Sequence, residues 1–115
     1  MCIKKLIGET SEYEKKEMLE IKKPKSWLKS VSAFANGIGG TLIFGISDSD
    51  TIIGLSDAKR DAEIISEQIK TKLDPIPEVN LRFHATEDEK ELIILQVAQG
   101  KETPYYYIGD GNRQT

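Results

Sequence analysis

Residues 31–48 read VSAFANGIGGTLIFGISD, a pattern that predicts a helix end, a glycine turn and a strand. Apolar residues up to this turn recur at spacings of three and four, typical of a helix with one buried face: Trp27, Leu28, Val31, Phe34 and Ala35. Asn36-Gly37 predicts the helix end, because glycine adopts the left-handed conformation common there without steric cost. After two further glycines, residues 41–46 are short and apolar, which predicts a strand covered on both faces.

The glycines of this turn also suggest a nucleotide site, but the order of the elements argues against one. A phosphate-binding loop runs from a strand into a helix, so that the positive helix N-terminus meets the anion. Here the glycines follow a helix and precede a strand, so the adjacent helix end is the negative one. Neither G-x-x-x-x-G-K-[ST] nor G-x-G-x-x-G occurs in the chain. We therefore interpret the glycines as a structural turn.

The composition of the 115 residues is that of one soluble globular domain, with 38% hydrophobic and 30% charged residues. No apolar run approaches the ~18 residues that a membrane helix needs, and the N-terminus lacks the apolar core of a signal peptide. The single Cys2 excludes an internal disulfide, and one cysteine with one histidine falls short of a structural zinc site. We expect a cytoplasmic protein without a membrane segment, metal or cofactor.

The net charge of −3 conceals an uneven distribution. Residues 1–30 hold eight lysines against five glutamates, a local charge of +3, and residues 31–115 hold eight basic against fourteen acidic residues, a local charge of −6. A basic segment on an acidic body can be a surface that faces phosphate. On charge alone, a solvated lysine-rich surface is the preferred interpretation.

The N-terminal half predicts short strands around the first helix. Residues 18–22 alternate apolar and polar side chains, which predicts a strand that Pro24 ends. Ser26 is the expected N-cap of the helix. A second short strand at residues 51–55 completes a hairpin with the glycine-led strand, so residues 41–55 are expected to form one unit.

The C-terminal half predicts a second helix and three strands. Ser56 is the expected N-cap, the residues before Pro75 end the helix, and its buried stripe consists of Ala58, Ala62, Ile65, Ile69 and Leu73. Residues 79–86 alternate, which places one set of side chains on the core face: Val79, Leu81, Phe83 and Ala85. Residues 92–97 are apolar on both faces and are expected at the centre of the sheet, and residues 105–108 form a further strand.

The predicted order is β-α-β-β-α-β-β-β, an α+β fold with a mixed β-sheet and two helices in a single domain, residues 1–115. Residues 109–112 predict a turn, and the return strand that begins at Arg113 stops with the chain. Because natural proteins avoid such exposed edges, we expect the chain to be the N-terminal fragment of a longer protein.

Five segments stand in the order in which one family carries them: LEIK (19–22), SAFAN (32–36), GGTLIFGI (39–46), IGL (53–55) and TPYY (103–106). On these segments the chain resembles the Schlafen AlbA-like domain, formerly called a divergent AAA-type ATP-binding domain. The resemblance covers nearly the whole chain, and its A-F-A-N…G-G segment is specific. The family's usual continuation of the last strand, Y-V-R-V-G, is missing after Thr115.

The resemblance implies a DNA-binding domain, often the N-terminal part of a bacterial transcriptional regulator with a winged-helix region behind it. The older ATP-binding label conflicts with the order of helix, turn and strand described above. We prefer the physical argument and expect no bound nucleotide.

Some animal relatives, the Schlafens, cleave RNA, and the resemblance implies three acidic positions for that site. Glu20 and Asp48 match two of them, whereas Lys15 stands at the first, with Glu14 and Glu17 beside it but out of register. Carboxylates in such a cluster hold a divalent metal that stabilises charge on the phosphate. Because a cation replaces one ligand, we expect no catalysis and keep Glu20 and Asp48 as weak catalytic candidates. Their structural alternatives are a strand residue paired with a lysine and a turn residue bonded to its own backbone.

The candidates for contact with nucleic acid, DNA before RNA, are basic residues that would bind phosphate: Lys22, Lys23, Lys25, Lys29, Arg82 and Arg113. Tyr105, Tyr106 and Tyr107 offer rings for base stacking, but alternation along a strand places at least one in the core. Trp27 is expected in the core and His84 on the surface.

Two alternatives to DNA binding remain open. The sequence pI of about 5.2 is low for a DNA-binding domain, many of which are basic. In the first alternative, the chain is an oligomerisation module that forms a homodimer through its open strand edges. The other alternative is a metal-dependent ribonuclease-like domain with an incomplete acidic site.

Overall fold

The computed structural model describes residues 12–109, which form two helices and six strands. In chain order these are β1 (Tyr13–Lys16), α1 (Lys25–Asn36), β2 (Gly40–Phe44), α2 (Ala58–Lys72), β3 (Leu73–Asp74), β4 (Val79–Ala85), β5 (Glu91–Val97) and β6 (Tyr106–Tyr107).

The main sheet has the strand order β1-β2-β5-β4, in which β1 pairs parallel to β2 and the other neighbours are antiparallel. The short strands β3 and β6 form a separate antiparallel pair. The predicted α+β fold with a mixed sheet and two helices is confirmed, and β5 lies inside the sheet as expected. The order of elements differs from the prediction, because it is β-α-β-α-β-β-β-β.

Both helices pack on one face of the sheet and form the main core. The helices contribute Trp27, Leu28, Val31, Ile65 and Ile69, and the sheet contributes Leu42, Phe44, Ile93 and Leu95. The ring of Trp27 meets that of Phe44 edge to face, with the centroids 6.0 Å apart. On the opposite face of β2, Ile43 packs with Ile46 and Ile52. The expectation of a strand covered on both faces is therefore correct.

The first strand lies earlier in the chain than predicted. Residues 18–22 form no strand, and Met18 and Ile21 are 63% and 45% exposed, so their alternation belongs to a loop. Residues 13–16 pair instead with β2, in the register Tyr13↔Thr41 to Lys16↔Phe44. The predicted strand at 51–55 is also wrong, because only a single bridge, Ile46↔Ile52, forms there.

Neither predicted helix cap is the observed one. Pro24 occupies the N-cap position of α1 and supplies no side-chain hydrogen bond, so Ser26 lies inside the helix. Asp57 caps α2, since its side chain accepts from the backbone N–H of Arg60 at 3.1 Å, and Ser56 precedes the cap. Four members of the predicted stripe are buried in α2, and the fifth, Leu73, is also buried but lies in β3, directly after the helix.

The alternation of β4 predicts its buried face only in part. Val79 and Leu81 are half-buried, but Phe83 is 52% exposed and Ala85 is exposed, because β4 is an edge strand of the sheet. Tyr105 and Tyr107 are buried, whereas Tyr106 is half-buried, which confirms the expectation that at least one tyrosine belongs to the core.

The glycine turn has its left-handed residue later than predicted. Gly37 has φ of −103°, and Gly39 has φ of +87°. The backbone N–H of Gly39 donates to the carbonyl of Phe34 at 2.9 Å. A Cβ on Gly39 would lie 2.8 Å from the carbonyl oxygen of Val97, so both conformation and space require glycine there.

The side-chain amide of Asn36 ties the end of α1 to the segment before β6. Its Nδ2 donates to the carbonyl of Tyr105 at 3.0 Å, and the N–H of Tyr105 donates to its Oδ1 at 2.7 Å. Nearby, the N–H of Gly100 donates to the carbonyl of Ala35 at 2.8 Å. Because the amide both donates and accepts, it completes the pairing that a strand neighbour would otherwise provide.

Replacing Gly39 by alanine is expected to lower the free energy of unfolding by about 2–4 kcal/mol, because it adds left-handed strain and a backbone clash. Gly37→Ala is the matched control, since Gly37 has negative φ and its added Cβ would lie 3.3 Å from the carbonyl oxygen of Ala33. Urea unfolding followed by circular dichroism measures both. Equal losses in the two variants would contradict the assignment of the turn.

Replacing Asn36 by aspartate is expected to cost about 1–3 kcal/mol of stability, because a carboxylate cannot donate to the carbonyl of Tyr105. It also places a negative charge at the negative end of α1. Asn80→Asp is the control, since the exposed amide of Asn80 makes one 3.3 Å hydrogen bond to Gln96. Thermal unfolding of both variants tests this, and a loss for Asn80→Asp as large as for Asn36→Asp would refute it.

Candidate nucleic-acid interface

Four lysines gather at the loop that enters α1, and we call them the lysine cluster: Lys22, Lys23, Lys25 and Lys29. The first three are exposed and Lys29 is half-buried. None of the four forms an ion pair with any residue between 12 and 109. Lys25 places its Nζ 5.8 Å from the ring centroid of Tyr107, a cation–π contact that holds it against the domain.

The start of α1 strengthens the positive character of this surface. Its first turn holds no acidic residue and has no side-chain cap. The first backbone N–H groups of a helix carry partial positive charge, so cations there are unfavourable and anions are favoured. Lys25 and Lys29 are also four positions apart, a like-charge pair that costs about 0.2–0.5 kcal/mol in a helix. These local costs are offset when an anion binds.

Apolar surface lies directly beside the lysine cluster. Met18 and Ile21 are exposed and, with Lys22 and Lys23, line a shallow groove of about 360 Å³. Leu19, in the same loop, is buried in the main core and fixes the loop on the helix side of the sheet. Glu20 also lines the groove and is the nearest acidic side chain in the sequence.

Arg82 lies on the other side of the sheet from the lysine cluster. It pairs with Ile94, which is opposite Ile43, so it projects from the face that the helices do not cover. Lys15 projects from the same face at the far edge, through its pairing with Ile43. The predicted set is therefore divided between two surfaces, and Arg113 lies outside the described residues.

Lys15 makes two contacts that sequence patterns do not indicate. Its Nζ lies 2.7 Å from Oδ1 of Asp50 and donates to the backbone carbonyl of Asp48 at 2.9 Å. The hydrogen bond to Asp50 raises the pKa of Lys15 above its ordinary value of 10.5. A raised lysine pKa stabilises the fold at pH values below 10.5, and this contribution is lost only as pH rises through the folded-state pKa.

Within the described part of the chain, the acidic side chains near Lys15 in the sequence or the structure do not form one cluster. Glu14 accepts a hydrogen bond from the hydroxyl of Ser30 at 2.8 Å and lies 3.4 Å from the Nζ of Lys16. Glu20 is exposed in the loop and is not a strand residue, and Asp48 is an exposed turn residue. Between residues 12 and 109, no group of three His, Cys, Asp or Glu side chains is arranged to hold a metal.

A separate surface, which includes no member of the lysine cluster, lies at the glycine turn. A cavity of about 630 Å³ there is lined by Gly39, Gly40, Thr41, Asn80 and Gln96, with Glu78 as the charged member of its lining. A cavity with a carboxylate and no cation does not suit phosphate. Its chemistry agrees with the interpretation of the glycines as a structural turn.

Within residues 12–109, neither helix is long and apolar enough to cross a bilayer.

Comparison with known structures supports the architecture. The chain is similar to the N-terminal domain of a RecG-related protein from Nitrosomonas europaea, with TM-score 0.70 and 21% identity over 98% of this chain and 80% of that one. It is also similar to the DIP2311 protein from Corynebacterium diphtheriae, with TM-score 0.53 and 20% identity over 88% of this chain and 20% of that one. At these identities the likeness establishes the fold. None of the curated proteins matches the chain.

The family model described as Schlafen, AlbA_2 matches residues 9–114, nearly the whole chain and all of its described elements. The family predicted from the five sequence segments is confirmed, and the chain belongs to the Schlafen, AlbA_2 family.

Proposed function

We propose that this domain binds nucleic acid, DNA in the first place, as part of a transcriptional regulator. The observation that carries the proposal is the lysine cluster, four cations without acidic partners among residues 12–109, grouped at the positive end of a helix. The name of the Nitrosomonas protein, which relates it to an ATP-dependent DNA helicase, adds circumstantial support.

The chemistry of the cluster favours the phosphate backbone over the bases. Lysine is a point charge on a flexible stem, so it neutralises phosphate without reading base edges. Each neutralised phosphate releases condensed counterions, which makes the affinity depend strongly on salt. Residues 31–115 carry a net charge of −6, so the domain repels nucleic acid except where the cluster faces it.

We propose that the domain does not catalyse cleavage. Lys15 occupies the position where the related nucleases have a carboxylate, and its ammonium lies within hydrogen-bond distance of both Asp50 and the Asp48 carbonyl. An ordinary lysine is already charged at physiological pH, and the hydrogen bond to Asp50 raises the pKa of Lys15 further. A divalent metal at Asp48 would have to approach a fixed positive charge.

Replacing three members of the cluster, Lys22/Lys23/Lys25→Ala, is expected to remove most of the salt dependence of binding. With about four phosphate contacts, the association constant of the wild type falls roughly 150-fold between 50 and 200 mM salt, and with one remaining contact it falls about 3-fold. Fluorescence anisotropy with labelled duplex DNA, single-stranded DNA and RNA measures these slopes.

The matched control is Lys59/Lys90/Lys101→Ala, which removes the same charge from exposed lysines outside the cluster. This variant is expected to retain the wild-type salt slope. If it loses as much affinity as the cluster variant, binding reflects total charge and not this surface. A wild type that binds none of the three nucleic acids at 50 mM salt would exclude the proposed function.

Wild-type protein is expected to leave labelled RNA and DNA intact in the presence of Mg²⁺ or Mn²⁺, and Mn²⁺ is expected to leave its melting temperature unchanged. Lys15→Glu exchanges the cation for a carboxylate beside Asp48 and Asp50, so Mn²⁺ is expected to raise the melting temperature of that variant. Lys16→Glu is the control, because Lys16 projects from the other sheet face. Cleavage by the wild type that disappears in Glu20→Ala or Asp48→Ala would overturn the absence of catalysis.

A further inference from the structure

The outer edge of β4 carries a row of backbone groups that no strand within residues 12–109 pairs. β4 ends the order β1-β2-β5-β4 and is seven residues long. At its two ends the N–H of Ala98 donates to the carbonyl of Glu78 at 3.0 Å, and the N–H of Thr86 donates to that of Lys90 at 2.9 Å. In an antiparallel ladder, hydrogen-bonded residue pairs alternate with non-hydrogen-bonded pairs. The N–H and C=O groups of the even-numbered residues of β4 therefore point toward β5. The residues whose N–H and C=O point outward are Val79, Leu81, Phe83 and Ala85.

Apolar surface of balanced charge accompanies this edge. Phe83 is 52% exposed and lines a groove of about 530 Å³ between β4 and α2. The groove is also lined by Ala62 and Ser66 and by two lysines and two glutamates: Lys59, Lys70, Glu63 and Glu67. Because these charges cancel, the grooves of two copies do not repel each other, and the groove does not attract a polyanion.

We propose that the edge of β4 binds β4 of a second copy of this chain, antiparallel, so that the two four-stranded sheets become one continuous sheet. A two-fold axis perpendicular to the sheet places the helix-covered faces of both copies on the same side. The residues whose N–H and C=O point outward in one copy then pair with the same kind of residue in the other copy. Centred on Leu81, the ladder places Leu81 opposite the partner's Leu81 and Phe83 opposite the partner's Val79. This register forms about six backbone hydrogen bonds between the copies.

The charges on the sheet face that the helices do not cover favour the same register. Centred on Leu81, Arg82 lies opposite the partner's Asn80, and His84 lies opposite the partner's Glu78. A shift that centres the ladder on Arg82 would place two arginines directly opposite each other in a non-bonded pair, where side chains are closest. A shift the other way would bring Pro77, which has no N–H to donate, opposite Phe83 and shorten the ladder.

The mass of the protein tests the interface. Sedimentation equilibrium of the wild type over a range from about 1 μM to 1 mM is expected to show a monomer–dimer equilibrium. Phe83→Glu places a charge in the ladder and is expected to weaken the dimer at least 100-fold, since charges on an edge oppose strand pairing. Met18→Glu is the control, because Met18 is 63% exposed beside the opposite edge of the sheet.

Disulfide trapping tests the register independently of whether Phe83→Glu folds. In a Cys2→Ser background, Leu81→Cys is expected to form a covalent dimer on mild oxidation, because directly opposed Cα atoms lie about 5.5 Å apart. Arg82→Cys is the matched control, because in this register the two cysteines are diagonal neighbours across the ladder, about 7–8 Å apart, and are not directly opposed.

Three outcomes would overturn the proposal: a monomer at every concentration, a dimer that Phe83→Glu leaves unchanged, or trapping through Arg82→Cys in preference to Leu81→Cys. A monomer is also the result expected if residues outside 12–109 of the same chain cover the edge. None of these outcomes excludes nucleic-acid binding by a single copy, because the lysine cluster lies at the loop that follows β1, at the opposite edge of the sheet from β4.

Discussion

The complete burial of β2 is the constraint on which the rest of the domain depends. This strand is paired on both edges, with β1 and β5, and covered on both faces. Leu42 and Phe44 require the two helices on one face, and Ile43 requires the segment that carries Ile46 and Ile52 on the other. Burying one side chain of this size contributes about 1.5–3 kcal/mol, so losing even one of them from β2 would remove a large fraction of the net stability of a small domain, which is about 5–15 kcal/mol.

The turn before β2 links this constraint to the candidate interface. Gly39 allows the chain to reverse tightly between α1 and β2, and a Cβ on Gly40 would lie 2.4 Å from the ring of Phe34. The helix is therefore held close against the strand that follows it. Because α1 is held there, its first turn and the loop before it have a defined place, and Leu19 anchors that loop in the core. The lysine cluster is thus presented by a buried framework, although its own side chains are exposed.

Elements with strong local patterns could be predicted from the sequence. The stripes of both helices and the two-sided apolar run of β5 report burial directly, since the period of the pattern matches the period of the structure. β1 could not be found this way, because its sequence, Tyr-Glu-Lys-Lys, is polar and its place depends on parallel pairing with a strand 28 residues later. The alternation at Met18 to Ile21 gave a false strand for the converse reason, as one buried residue, Leu19, anchors an otherwise exposed loop.

The candidate site was predictable in its residue types but not in its geometry. Lys22, Lys23, Lys25 and Lys29 are close in sequence, so helix and loop geometry keep them together whatever the rest of the fold does. Arg82 is distant in sequence, and whether it joins them depends on which face of β4 it occupies, a property of the sheet register. The ion pair of Lys15 with Asp50 spans 35 residues and requires the pairing of β1 with β2, which no local pattern reveals.

The two proposed surfaces reinforce each other physically. A single cluster of four lysines in a chain with net charge −3 would make a weak, salt-sensitive contact with a polyanion. β4 and β1 are opposite edges of the sheet, so pairing through β4 leaves the loop that follows β1 at the outer side of each copy. Two clusters would then engage one nucleic acid, and the second contact becomes intramolecular, which raises the overall affinity without any new type of interaction. An acidic domain can in this way bind nucleic acid through a small basic surface, because the number of copies compensates for the modest charge of each one.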